Sequence, residues 1–557
     1  MALKVLFLSS DTGGGHRASA ESLAAQFTSL FPGSTYDLLD VVSKNSLPPY
    51  NKLVESYKHL SAHPQQWNLV FKFSNSKAFE FFFDVSQKVL CEKAMRKSIM
   101  EHNPDVVVSV HPMMTNVPVL CCQKISKITG RHLPIFTVVT DLGSAHCLWF
   151  CNGVEKMYIA SDQIRHLAKV RGKVPDEKLV QIGLPIRLQF AEQAELLGNR
   201  MSPEGVDYQK SMRAELGLPV VDKKTVLVMG GGEGVGSLSN IVDTMYVEFV
   251  DQGIDALILV VCGRNEKLKE DLEVRDWDEI IKKHHAIKER KVTRSLQDFS
   301  LTSCVSGTGT AVISTSSSGC MEGGVTQQIR RILSNSTLQG LSKENAMGSP
   351  ETMTADEAIY NDVQDINRLP TMSESKEEEE RKEYLSSVRS KELDEIKKSP
   401  VNLTKGEVTV VGLGFVSKMA EYMVAADVLV SKAGPGTIAE AAALSLPVML
   451  TSFLPGQEEG NVDFVTNGGF GSFISDKDPI GIADEVGEWL TNEELATNLS
   501  IKAKANGAPN AARDIVQHIG KISLKWKQIN DDREKLDLAA DQLKRGVTSK
   551  DEDEVDA

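Results

Sequence analysis

Short apolar runs, each closed by glycine, proline or polar residues, recur through most of the chain. Early on they are Val5–Leu8, Tyr36–Asp40, Asp105–Val110, Ile135–Thr140, Lys156–Ala160 and Val180–Gly183. Later come Val226–Met229, Leu257–Arg264, Val408–Gly412, Val428–Ser431 and Pro447–Leu450. Runs this short, apolar on both faces, predict buried parallel strands rather than helices. Helical spacing lies between most of them. In Arg17–Leu30, for instance, Ala18, Leu23, Phe27 and Leu30 fall on or near one face. Strands alternating with helices predict an α/β protein, and two such series predict two similar domains facing one cleft.

The alternation divides the chain. Residues 1–200 form the expected N-terminal domain, and 205–275 with 405–520 the second, C-terminal domain. Between them, 276–404 is rich in Ser, Thr, Glu and Lys, with the run Ser373–Glu380 at its most polar. Few large apolar residues recur there at a fixed period. The expectation is a disordered or partly helical surface insertion that cannot offset its ordering entropy. Residues 521–557 read as a terminal helix with an acidic tail, Asp551–Glu554.

A length of 557 residues suits two or three domains with their own cores. The net charge of −14 argues against a nucleic-acid binder. Eight cysteines without a C-x-x-C pair suggest buried thiols, not a disulfide framework or a zinc site. No apolar run reaches the roughly 18 residues of a membrane span. The first strand begins too early to leave room for a cleavable leader, so either the protein stays where it is made or a presequence is missing from this chain.

Candidate chemistry sits where strands end in glycine. Asp11-Thr12-Gly13-Gly14-Gly15-His16 lacks the Gly-Lys-Ser/Thr of a P-loop and fits G-x-G-x-x-G poorly. It is a close-approach turn, Gly14 and Gly15 included, that delivers an imidazole at a helix N-terminus. There the neutral form is favoured, suiting His16 to general-base work, although a structural histidine that holds the loop is the plain alternative. His111 and Asp141 also close strands, at the sheet edge that lines a ligand crevice. In the second half, the turn Gly230-Gly231-Gly232-Glu233-Gly234 can host a diphosphate through backbone N–H groups. In Ser431–Ala441 strand, glycine turn and helix start recur. Gly434 and Gly436 admit a phosphate, Thr437 can donate to it, and Glu440 can accept the two hydroxyls of a ribose. The next loop offers Gln457, Glu458 and Asn461, groups that recognise sugar hydroxyls. Together these pieces describe a nucleotide-sugar transferase with its cleft between domains.

These blocks resemble the monogalactosyldiacylglycerol synthases of plants and algae and their bacterial diacylglycerol glucosyltransferase relatives. The resemblance runs through Asp11–Glu21, Val110–Pro112, Thr140–Leu142, Gly183–Pro185, Met229–Gly236, Cys262–Asn265, Lys432–Ala441 and Pro455–Asn461. It implies a GT-B fold of two Rossmann-like domains and inverting transfer from UDP-galactose to diacylglycerol, with His16 as base. Glu440 would hold the ribose, Thr437 the phosphates and Gln457 the sugar. It implies no bound metal or other cofactor. The long insertion and the missing presequence depart from the plant pattern. A chloroplast envelope location is implied, or otherwise the cytosolic face of a membrane. UDP-glucose is an alternative donor, and an inactive nucleotide-sugar-binding regulator is an alternative of another class.

An enzyme without a span must meet diacylglycerol at the bilayer surface. Pro49, Trp67, Phe71, Phe73, Phe79 and Phe81–Phe83, interleaved with Lys52, Lys58, Lys72 and Lys77, are the candidate membrane side, with attraction to anionic lipids expected. Ordinary core packing of these aromatics is the competing reading. Oligomeric state is open.

Overall fold

The computed structural model describes residues 2–10, 15–40, 52–61, 63–230, 238–288 and 405–553. Among the described residues twelve strands form two parallel sheets of six. The first contains β1 (Lys4–Leu8), β2 (Thr35–Leu39), β3 (Val106–Ser109), β4 (Ile135–Val138), β5 (Met157–Ile159) and β6 (Leu179–Gln181), in the order β2-β1-β3-β4-β5-β6. The second contains β7 (Lys224–Met229), β8 (Ala256–Val261), β9 (Val408–Leu413), β10 (Val428–Lys432), β11 (Val448–Ser452) and β12 (Gly471–Phe473), in the order β12-β11-β10-β7-β8-β9. Every strand read from an apolar run is present. β12, a short edge strand opening on glycine, carried no such run.

In both sheets the strand order reverses beside the first strand: between β1 and β3, and between β7 and β10. The carboxyl ends at such switch points are where α/β folds open a crevice. Helix α1 (Gly15–Leu30) leaves β1 at the first of them. Its Ala20, Leu23 and Phe27 are buried on the sheet beside Val5, Phe7, Val106 and Val108. Between β2 and β3 the chain inserts α2 (Leu53–Ser61), α3 (Pro64–Ser74) and α4 (Lys77–Leu90). At the second switch point α5 (Pro435–Ala443) follows β10, with Gly434 as N-cap and proline in its first turn.

Two boundaries differ from expectation. Residues 277–288 continue as helix beyond residue 275. Trp277 stacks on Tyr246 with ring centroids 4.2 Å apart, and His284 and Lys288 both reach Glu248. These are specific contacts that a composition-based reading cannot register. The remainder of the insertion, 289–404, lies outside the described residues. The last helix, α6 (Ala511–Asp553), starts before residue 521 because Ala512, Ile515, Val516 and Ile519 bury one stripe on the first sheet. The chain thus leaves the second lobe and packs back on the first.

The lobes meet where the loop after β4 touches the loop after β11. Gly143 N–H donates to Asn461 Oδ1 at 3.0 Å, and Ser144 Oγ donates to the Gln457 carbonyl at 2.6 Å. The backbones approach so closely that a Cβ on Gly143 would lie 1.6 Å from the Gly460 oxygen.

Candidate active site

His16 occupies the first turn of α1, one residue past Gly15, around whose missing Cβ there is open space. Its Nδ1 lies 2.9 Å from Thr140 Oγ1, and the Val110 backbone hydrogen-bonds the ring. Thus the ends of β3 and β4 fix the orientation of a side chain that follows β1. His111 stands edge-on to it, with ring centroids 4.6 Å apart, and the Trp149 ring lies 5.9 Å away. Burial depresses His16 to about 4, partly opposed by the Val110 bond, so the imidazole is neutral at physiological pH. The expected neutral form is present. Desolvation, rather than the helix N-terminus invoked from sequence, is the main cause.

His111 is buried and pushed well below the usual histidine range by desolvation and by its neighbours His16 and His146. Its Nδ1 accepts from Met113 N–H at 3.3 Å. His146 falls to about 4, again by burial. Its Nε2 lies 3.1 Å from Ser74 Oγ, whose own proton goes to the Phe71 carbonyl, so His146 donates. Asp141 moves the other way. Burial raises it to about 7, against a 2.7 Å bond donated by Trp149 Nε1 and with Glu458 adding to the rise.

These groups form one end of a cavity of about 230 Å³. Tyr57, Leu60, Trp67, Phe71, Phe79 and Phe83 from α2, α3 and α4 supply apolar walls, and Gln457 enters from the second lobe. The aromatic segment therefore divides between the two readings weighed from sequence. Phe71 and Phe83 are 6% and 5% exposed and turn inward. Phe73, Phe81 and Phe82 are 66–72% exposed, beside the exposed Leu69 and Val89. Trp67 belongs to the cavity rather than to this outer face. Pro49 and Gly14 lie outside the described residues.

On the second lobe, Gly230 directly follows β7, while Gly231, Gly232, Glu233 and Gly234 lie outside the described residues. At the start of α5 nothing occupies the space a Cβ on Gly436 would take. Thr437 Oγ1 and Lys432 Nζ lie 3.8 and 3.9 Å from the corresponding position on Gly434, which makes the helix start a compact donor surface. Glu440 is buried, and desolvation raises its carboxyl. It is not vacant as the sequence reading supposed. Arg187, just after β6, donates Nε and Nη2 to its two oxygens at 2.8 and 2.9 Å.

The loop after β11 separates its three candidates. Glu458 accepts from Lys432 Nζ at 2.6 Å and from Leu454 N–H at 2.9 Å. Asn461 is fully buried, accepting from Gly143 and donating to the Ala433 carbonyl at 3.0 Å. Both hold the loop together. Of the three, Gln457 keeps a buried, unpaired atom, Oε1. Sequence reasoning gave no role to Arg187 and Trp149, nor to Thr140 and Lys432, although these last two stand inside the blocks Thr140–Leu142 and Lys432–Ala441. Arg187 sits two residues past the Gly183-Leu184-Pro185 block; Trp149 matters through contacts across the fold. Among the described residues no cluster of His, Cys, Asp and Glu is arranged to hold a metal ion, and no helix is long and apolar enough to cross a membrane.

Residues 16–186 match the monogalactosyldiacylglycerol (MGDG) synthase family, and residues 362–519 the glycosyltransferase family 28 C-terminal domain. Monogalactosyldiacylglycerol synthase 2, chloroplastic, of Arabidopsis thaliana is 27% identical over 526 residues, covering 93% of this chain and 81% of that protein. Monogalactosyldiacylglycerol synthase, chloroplastic, of Spinacia oleracea is 26% identical over 529 residues, covering 93% and 72%. Among solved structures, MurG of Acinetobacter baumannii aligns over 93% of this chain and 99% of its own at 11% identity, with a TM-score of 0.45.

Proposed function

The chain belongs to the monogalactosyldiacylglycerol synthase family, and from that premise we propose that it moves galactose from UDP-galactose to the free hydroxyl of 1,2-diacylglycerol with inversion at the anomeric carbon. One observation carries the proposal: a neutral, oriented imidazole, His16, at the polar end of an apolar cavity reached by the second lobe's sugar-facing loop. The apolar walls suit acyl chains, and the polar end suits a glycerol hydroxyl.

In this reading the hydroxyl attacks the anomeric carbon while UDP departs toward α5, and His16 takes the proton as the new C–O bond forms. An imidazole depressed to about 4 is a weak base, so proton removal accompanies bond formation rather than preceding it. The backbone N–H of Gly436, the Thr437 hydroxyl and the Lys432 ammonium meet the developing diphosphate charge, with no metal ion required. Glu440 takes the ribose once Arg187 yields or shares its carboxylate. The exposed face of Leu69, Phe73, Phe81, Phe82 and Val89, flanked by Lys72 and Lys77, docks on an anionic membrane surface, which we place at the chloroplast envelope.

Radiolabelled UDP-galactose and UDP-glucose, offered with diacylglycerol in mixed micelles containing EDTA, test the reading. Galactolipid formation is expected. Glucolipid as the main product would overturn the donor assignment, absence of any glycolipid the activity, and restoration by Mg²⁺ the metal-independent departure of UDP.

A further inference from the structure

Trp67 closes the first turn of α3, where its backbone N–H donates to the His63 carbonyl at 3.0 Å. Tyr57 of α2 meets its ring edge-on, with centroids 5.2 Å apart, and Phe71, one helical turn further, lies 6.1 Å away. Phe71 in turn packs on Gly456 in the loop after β11; a Cβ there would lie 2.5 Å from Phe71 Cδ1. The indole is thus held between two rings, one of them seated against the second lobe.

An indole N–H can only donate. That of Trp67 is buried, and no protein group accepts from it. A donor buried in this way is destabilising unless a ligand completes it. Trp67 lines the cavity that has His16 at its polar end. At about 230 Å³ that cavity is smaller than the roughly 300 Å³ at which pockets for drug-sized ligands begin. Glycerol and its ester groups fit; two long acyl chains do not. Val70, also on the wall, is 40% exposed next to the outer-face Leu69, which gives the chains a way out toward the bilayer. With the free hydroxyl at His16, the ester carbonyls are the strong acceptors left among the apolar walls.

We propose that Trp67 Nε1 donates a hydrogen bond to an ester carbonyl of the acceptor lipid, which makes the cavity selective for acyl esters over alkyl ethers. This rests on the glycosyl-transfer reading, which supplies the lipid. An ether oxygen is a weaker acceptor than an ester carbonyl. A diether lipid of the same shape therefore leaves the indole N–H unpaired and binds less tightly.

Calorimetric titration of the full chain with dihexanoylglycerol and with its diether counterpart dihexylglycerol, in the absence of nucleotide, reads this without turnover. The wild type is expected to bind the diester about tenfold more tightly. Trp67→Phe keeps an aromatic ring beside Tyr57 and removes the N–H. It should lose about tenfold in affinity for the diester alone, which brings the two lipids level. Equal binding of diester and diether by the wild type would overturn the proposal, whether or not the variant folds. So would an ester preference kept by Trp67→Phe, or a loss shared equally by both lipids. An ester preference that depends on Trp67, in a protein that transfers no hexose, would sink the activity and leave this subsite standing.

Discussion

Arg187 and Glu440 are joined by two parallel hydrogen bonds across the base of the cleft, with Glu440 almost wholly enclosed and Arg187 40% exposed. A carboxylate so held is preorganised but occupied, and a ribose diol must displace or share the guanidinium. Glu440→Gln should weaken UDP binding about tenfold by calorimetry, because one of the two carboxylate oxygens becomes an NH2 donor and can no longer accept one hydroxyl of the pair. Arg187→Met should lower stability by about 1–3 kcal/mol in urea unfolding. That is less than for a fully enclosed pair, since the arginine is half in water.

His16→Ala should reduce the turnover number about 10²- to 10⁴-fold while the UDP dissociation constant stays within about twofold. Single-turnover assays and calorimetry together check this. Substantial residual transfer would remove His16 from the role of base.

Much of this architecture was legible in the chain because parallel strands buried on both faces read as unbroken apolar runs, as Val106–Val108 and Leu257–Val261 do. β12 was not legible, since Gly471-Ser472-Phe473 has no run to read. The glycine turn put His16 at a strand end, and the ring stands there, held by Thr140. Partners distant in sequence stayed hidden: nothing local in Glu440 points to Arg187, nor in His16 to Thr140. The bonds that Glu458 and Asn461 make within and across the loop were hidden too, because a polar loop that holds itself together has the same composition as one that holds a hexose.

Acid should destabilise the protein before it damages the chemistry. His16 and His146 are held near 4 and His111 well below its usual value, while the unfolded chain protonates all three near 6.5. As pH falls from about 6.5 to 4 the unfolded state takes up protons that the native state refuses, so stability drops. Asp141 opposes this. Raised to about 7, it binds its proton in the native state first, and stability rises for that group between about 7 and 3.8. Three histidines against one aspartate leave a net loss. Urea midpoints at pH 7 and pH 5 should show it, and an unchanged or higher midpoint at pH 5 would contradict the burial described for the three rings.

The outer aromatic face should separate from the cavity by mutation. A Phe81→Ser, Phe82→Ser double variant should lose flotation with anionic vesicles while keeping its melting temperature, since both rings are more than two-thirds exposed. Trp67→Ala should still float but transfer poorly. Equal flotation of the double variant and the wild type would move the membrane contact elsewhere.

Gly143→Val should force apart the loops that meet at Gly460, because the new Cβ overlaps a backbone oxygen that cannot retreat alone. The turnover number should fall at least about tenfold, with UDP affinity largely kept.

The returning helix α6 means that the polypeptide passes between the lobes twice, once after β6 and once before Ala511. A body hung from two pins swings about the line through them and resists sliding or twisting. Two such crossings favour rocking about the line between them, which parts the rim farthest from the crossings most widely.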